Sequence, residues 1–115
     1  MEWVGMLRTW LVGPNFDAIA EEIAAQKRSD VWQRIQHSVG QMALAEARGY
    51  VRVKATSLVG QAVDQRVREE PTLQPSAGHL KQIAMDAVLR QAVVDIMRSQ
   101  RNADLQQQPA YRRAA

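Results

Sequence analysis

The stretch that decides the fold is DVWQRIQHSVGQMALAEARGYVRVKATSLVGQA, residues 30–62 of a 115-residue chain. It contains no proline, and its apolar residues recur at helical spacing in two successive stripes. The first stripe is Val31, Ile35, Val39 and Met42, and the second is Leu44, Val51, Ala55, Leu58 and Ala62. At 100° per residue the two stripes lie on roughly opposite sides of a continuous helix. Because each apolar stripe has to be buried, such a helix needs two packing partners.

Two geometries fit this switch of sides. Either one helix of about forty residues, ~60 Å long at 1.5 Å per residue, meets different partners along its length, or the helix breaks near Gly49. A glycine inside a helix costs only ~1 kcal/mol, so the presence of Gly40, Gly49 and Gly60 does not choose between them.

Two helices are predicted before this stretch. Gly13 and Pro14 separate a short helix, Glu2 to Val12, from a second one that Asn15 caps and that runs to about Lys27. Ser29 or Asp30 then begins the long helix.

The short first helix places its large apolar residues on one side. These are Trp3, Met6, Leu7, Trp10 and Leu11. A helix that lies on a membrane surface normally carries several basic residues on its polar face, and this one has only Arg8. We therefore expect packing in the core or against a subunit rather than binding to a membrane surface.

The last predicted helix follows a loop bracketed by Pro71 and Pro75, with Ser76 as its cap. A connection of this length favours an antiparallel helical hairpin. The helix carries two apolar stripes on opposite sides, Leu80, Ile83, Ala87 and Val94 on one and Met85, Leu89, Ala92 and Ile96 on the other. The sequence thus predicts an all-α fold, a four- or five-helix bundle with a long, unbroken or broken, central helix and a C-terminal antiparallel hairpin. We expect residues 1–104 to form a single helical domain and residues 105–115 to form a flexible tail.

Composition limits the functional classes. The net charge is +3, from 15 Lys and Arg against 12 Asp and Glu, and there is no cysteine. The absence of cysteine removes disulfides, thiolate nucleophiles and thiolate metal ligands. With neither a basic leader nor a run of ~20 apolar residues in this sequence, we expect a cytoplasmic protein.

No constellation of residues predicts catalysis, metal binding or a cofactor. His37 and His79 each lack a second metal ligand at helical spacing, whereas a zinc site needs three or four. Ser38 follows His37 directly, and adjacent residues on a helix diverge by about 100°. The glycines are dispersed and form no phosphate-binding loop. We therefore expect a protein that is not an enzyme and that binds neither metal nor cofactor.

The predicted function is protein–protein interaction or assembly, with self-association through a second apolar helix face. Two sets of residues are predicted at the interfaces, Val51, Ala55, Leu58 and Ala62 in one and Met85, Leu89, Ala92 and Ile96 in the other. The alternative is a small basic DNA- or RNA-binding protein. In that case Arg34, Arg48 and Arg52 would form a row along the central helix and contact phosphates.

Overall fold

The computed structural model describes residues 15–107, which form three α-helices. Helix α1 is Phe16–Ile35, α2 is Leu44–Glu69 and α3 is Ala77–Gln107. Short 3₁₀ helices lie in the two connections, Val39–Gln41 and Pro71–Ser76. The predicted all-α class is confirmed for this part of the chain. The helix predicted at Glu2 to Val12 lies outside the described residues.

Helix α1 begins as predicted and ends later than predicted. The Asn15 side-chain oxygen accepts a hydrogen bond from the Ala18 backbone N–H at 3.1 Å, so the predicted cap is confirmed. The predicted boundary between Lys27 and Asp30 is wrong, because the helix runs through it to Ile35. No glycine or proline interrupts the chain there, and Val31 and Ile35 extend the buried face of the helix.

The switch of apolar stripes marks a chain reversal at residues 36–43. The Gln36 backbone N–H still bonds to the Trp32 carbonyl at 2.9 Å, and Ala43 then has an extended backbone conformation. Val39 is buried and anchors the turn to the core. The chain is therefore neither one continuous helix from Asp30 nor broken at Gly49, which lies inside α2.

Polar contacts between the helices establish their directions. Glu21 pairs with Arg90 and Arg28 with Asp95, so α1 and α3 run parallel. Arg66 pairs with Glu22. Arg34 donates to Ser57, and together these two contacts show that α2 runs antiparallel to α1. The structure is thus a bundle of three helices in which α3 contacts both α1 and α2.

The residues predicted at protein interfaces lie inside this bundle. Seven of the eight are buried, namely Val51, Ala55, Leu58, Met85, Leu89, Ala92 and Ile96, and the eighth, Ala62, is partly buried against the same core. A second chain could reach them only if the bundle opened. The interface prediction for these eight side chains is therefore corrected to a role in the internal core. Helical spacing shows that a face needs burial, but it cannot show whether the cover comes from the same chain.

Helix α3 extends beyond its predicted end. It includes residues 105–107, the first three residues of the predicted tail, and residues 108–115 lie outside the described part of the chain. In residues 15–107, no helix combines the length and hydrophobicity needed to cross a membrane.

Candidate protein-binding groove

A groove runs between α1 and α3 on the outside of the bundle. Beside the C-terminal end of α3 the groove widens into a cavity of about 760 Å³ that is open to solvent. Small side chains on both helices leave this space: Ala25 and Ser29 on α1, and Ser99 and Ala103 on α3. Each pair is spaced i, i+4, which places its two members on one helix face. Half-buried Trp32 provides the largest apolar side chain at the groove.

The groove continues towards the beginning of the two helices. A second cavity, of about 330 Å³, is lined by Ala87, Gln91 and Val94 and shares Arg28 and Arg98 with the first. From Ala87 to Gln106 the α3 wall spans 19 residues, or ~28 Å at 1.5 Å per residue.

Two ion pairs connect the walls of the groove. Arg28 forms a bidentate contact with Asp95, including an Nε to Oδ2 distance of 3.0 Å. The hydrogen bond to Asp95, with its negative charge, raises the pKa of Arg28. A second pair joins Arg90 to Glu21 at 2.8 Å. Both carboxylates that line the groove are therefore already engaged by arginines.

One further charge lines the groove. Arg98 lines both cavities, and its guanidinium pairs with no carboxylate among residues 15–107. Arg101 lines neither cavity and lies on the outer side of α3, about 160° around the helix from Ser99.

One buried polar atom lies beside the groove. The Gln91 side-chain carbonyl oxygen, Oε1, is buried between α1 and α3 and has no hydrogen-bond partner among residues 15–107. Leaving such an atom unsatisfied typically costs ~1–3 kcal/mol. Gln91 therefore weakens the contact between the two helices.

The outer surface of α3 carries a second feature, the outer stripe, which we define as Val94, Met97 and Leu105. These side chains are 48%, 56% and 47% exposed. Their spacing of three and eight residues places them within about 80° of one another around the helix. Val94 also lines the groove, so the outer stripe and the groove adjoin.

The predicted arginine row does not exist as one line. Arg34 belongs to α1, where it donates hydrogen bonds to the Lys54 carbonyl at 3.3 Å and the Ser57 hydroxyl at 3.2 Å. Arg48 is nine residues from Ser57 on α2, so the two lie about 180° apart around that helix. The chain reversal thus separates Arg34 from Arg48 and Arg52, which remain together as an exposed i, i+4 pair.

The histidines lie in unrelated places. His37 is exposed in the turn after α1, and the His79 ring packs edge-on against Phe16 with centroids 5.8 Å apart. Within the described residues no group of three His, Cys, Asp or Glu side chains is arranged to hold a metal ion.

Sequence reasoning missed the groove because most of its lining residues are small or polar and follow no apolar pattern. No local pattern in the sequence marks it, since its position depends on how α1 and α3 pack. Comparisons of the chain with protein-family models, curated proteins and solved structures found no match.

Proposed function

We propose that this chain is a non-enzymatic helical protein–protein interaction module, and that it binds through the last part of α3 and the groove beside it. The observation that carries the proposal is the outer stripe. Single exposed apolar side chains are ordinary on protein surfaces. The outer stripe instead gathers three of them on one helix face that also borders an open cavity.

Self-association is the first form of this function to test. The eight residues first predicted at the interfaces line the internal core, so a second copy would have to bind elsewhere. Among residues 15–107, the outer stripe is the group of exposed large apolar side chains that share one helix face. Burial of apolar surface contributes ~25 cal/mol per Å², and this gain has to exceed the entropy that two chains lose on association.

Sedimentation equilibrium from low to high micromolar concentration provides the test. Self-association predicts a mass that rises above 12.9 kDa with concentration. The double variant Val94→Glu/Met97→Glu should then return the protein to a monomer. Val53→Glu is the matched control, since Val53 is a 74% exposed valine on α2, away from the outer stripe.

The outcomes separate the forms of the proposal. A concentration-dependent mass that only the double variant abolishes supports self-association through the outer stripe. A monomer at every concentration removes self-association and leaves a partner of another kind. A monomer that also binds neither of two amphipathic helical peptides, one acidic and one basic, overturns the interaction function itself.

A further inference from the structure

We propose that the groove between α1 and α3 is the docking site of this chain's own N-terminal segment, residues 2–12, which packs there as a fourth helix of the bundle. The segment lies outside the described residues, and the sequence predicts it to be helical. This docking is independent of the interaction function proposed above, because it takes place within one chain.

The predicted helix at residues 2–12 carries an apolar face that has to be buried. Five large side chains form this face, namely Trp3, Met6, Leu7, Trp10 and Leu11. At 100° per residue they span about 140° around the helix. A helix that lies in a groove touches two neighbouring helices and therefore buries a wide face. The segment thus has the apolar surface that a position between α1 and α3 requires.

The short connection to α1 places the segment beside that helix. Gly13, Pro14 and the cap residue Asn15 separate the predicted helix from Phe16, the first residue of α1. Connections of two to five residues join antiparallel helical hairpins. The segment would therefore run back along α1 for ~16 Å, the length of 11 helical residues. A separate partner lacks this tether and its high effective concentration.

The register of such a hairpin matches the cavities. Each residue of the segment lies level with the α1 residue that is equally far from Pro14. Leu7 is then level with Glu21, which lines the cavity of about 330 Å³. Trp3 is level with Ala25, which lines the cavity of about 760 Å³. Because helical side chains lean towards the N-terminus of their helix, the Trp3 indole would point further into this larger cavity.

The charges of the segment also fit the groove. Arg98 lines both cavities and has no carboxylate partner among residues 15–107. Glu2 is the acidic residue of the segment, and the hairpin register brings it to the end of the docked helix, where the two cavities meet. Arg8 lies about 130° from the centre of the apolar face and would stay in solvent.

The docked segment would leave the far end of the groove open. Its last residue, Glu2, is level with residue 26 of α1, whereas Arg28 pairs with Asp95 further along the two helices. The cavity wall from Ser99 to Gln106 lies beyond that pair. This stretch remains accessible to another protein.

Cross-linking of the full chain tests the docking, since the sequence contains no cysteine. Leu7→Cys is combined with Arg90→Cys on α3 or, as the matched control, with Arg66→Cys on α2. Arg90 pairs with Glu21 of α1. Arg66 pairs with the adjacent Glu22, so positions 90 and 66 lie at the same level on different sides of α1.

The reagent is a short bismaleimide that bridges facing helices, whose axes are ~8–10 Å apart. Mass spectrometry at low micromolar concentration measures the rate of cross-linking within one chain, and a monofunctional maleimide corrects for the accessibility of each thiol. We expect the variant with cysteine at position 90 to cross-link at least about tenfold faster than the variant with cysteine at position 66. An undocked segment on a flexible tether would reach both positions.

A blocking variant tests the place of Trp3. Ala25 is exposed on α1, so Ala25→Trp should leave the core intact and fill the space that Trp3 would occupy. We expect it to slow the cross-link of Leu7→Cys/Arg90→Cys to the rate of the α2 control. Ala45→Trp, at an exposed alanine of α2, should leave the rate unchanged. Circular dichroism of each variant verifies that the helices are retained.

Three results would overturn the docking. They are a rate for position 66 that equals or exceeds the rate for position 90, cross-links that form only between two chains, and an undiminished rate in Ala25→Trp. Sedimentation equilibrium tests self-association through the outer stripe separately, so either proposal can fail while the other stands.

Discussion

Helix α3 consists of two parts with the same backbone geometry and very different surroundings. Between Ala77 and Ile96 it is sandwiched between α1 and α2, and its buried residues are Leu80, Ala84, Met85, Ala87, Val88, Leu89, Ala92 and Ile96. From residue 97 to 106 no side chain is fully buried. The first part completes the core of the chain, and the second part leaves an open groove and an exposed apolar stripe. The comparison shows where the packed core of the described residues ends.

Where the two parts of α3 meet, two adjacent residues differ greatly in the exposed fraction of their side chains. Ile96 is 1% exposed and Met97 is 56% exposed. Truncating a buried isoleucine removes apolar burial and leaves a cavity, so Ile96→Ala should lower the free energy of unfolding by ~2–5 kcal/mol. Met97→Ala should change it by no more than ~0.5 kcal/mol. Urea denaturation measures both, and similar losses would show that Met97 is covered in solution.

The first part of α3 also contains an unsatisfied polar atom that a substitution can remove. Gln91→Met keeps the length of the side chain and removes the unpaired carbonyl oxygen. We expect an increase of about 1 kcal/mol in the free energy of unfolding. No gain in urea denaturation would indicate that this oxygen has a partner, such as a bound water.

Substitutions that improve helix propensity should raise the stability of the whole protein in the packed part of the bundle but not at the end of α3. Gly49 lies inside α2, and an added Cβ there meets nothing within 4 Å. Gly49→Ala should therefore raise the free energy of unfolding by ~0.5–1 kcal/mol.

Ser99→Ala is the counterpart in the exposed part of α3. Ser99 lies beyond Ile96, the last buried residue among residues 77–106. We expect this change to strengthen only the local helix and to leave the midpoint of thermal unfolding unchanged. A rise equal to that of Gly49→Ala would contradict the view that this end unfolds independently of the core.

The sequence specified those parts of the fold that depend on local chemistry. Asn15 as a cap, the interruption at Pro71 and the two apolar stripes of α3 follow from hydrogen bonding, backbone restriction and helical period. The reversal after Ile35 has weak local signals, since Gly40 is the only helix breaker between residues 36 and 43. It depends on tertiary packing around Val39.

The groove could not be predicted for a related reason. Its position depends on the offset between α1 and α3, and the contacts from Arg28 to Asp95 and from Glu21 to Arg90 define this offset only after folding. The sequence did indicate that several faces need cover. It did not indicate that the chain covers most of them itself.

Hydrogen exchange along α3, measured residue by residue by NMR, tests the division of this helix most directly. Local opening is easiest where few apolar contacts hold the backbone. We predict strong protection of backbone amides up to Ile96 and a sharp fall from Met97 to Gln107. Equal protection through Gln107 in the free monomer would contradict the account, because the end of α3 would then be as firmly held as the core.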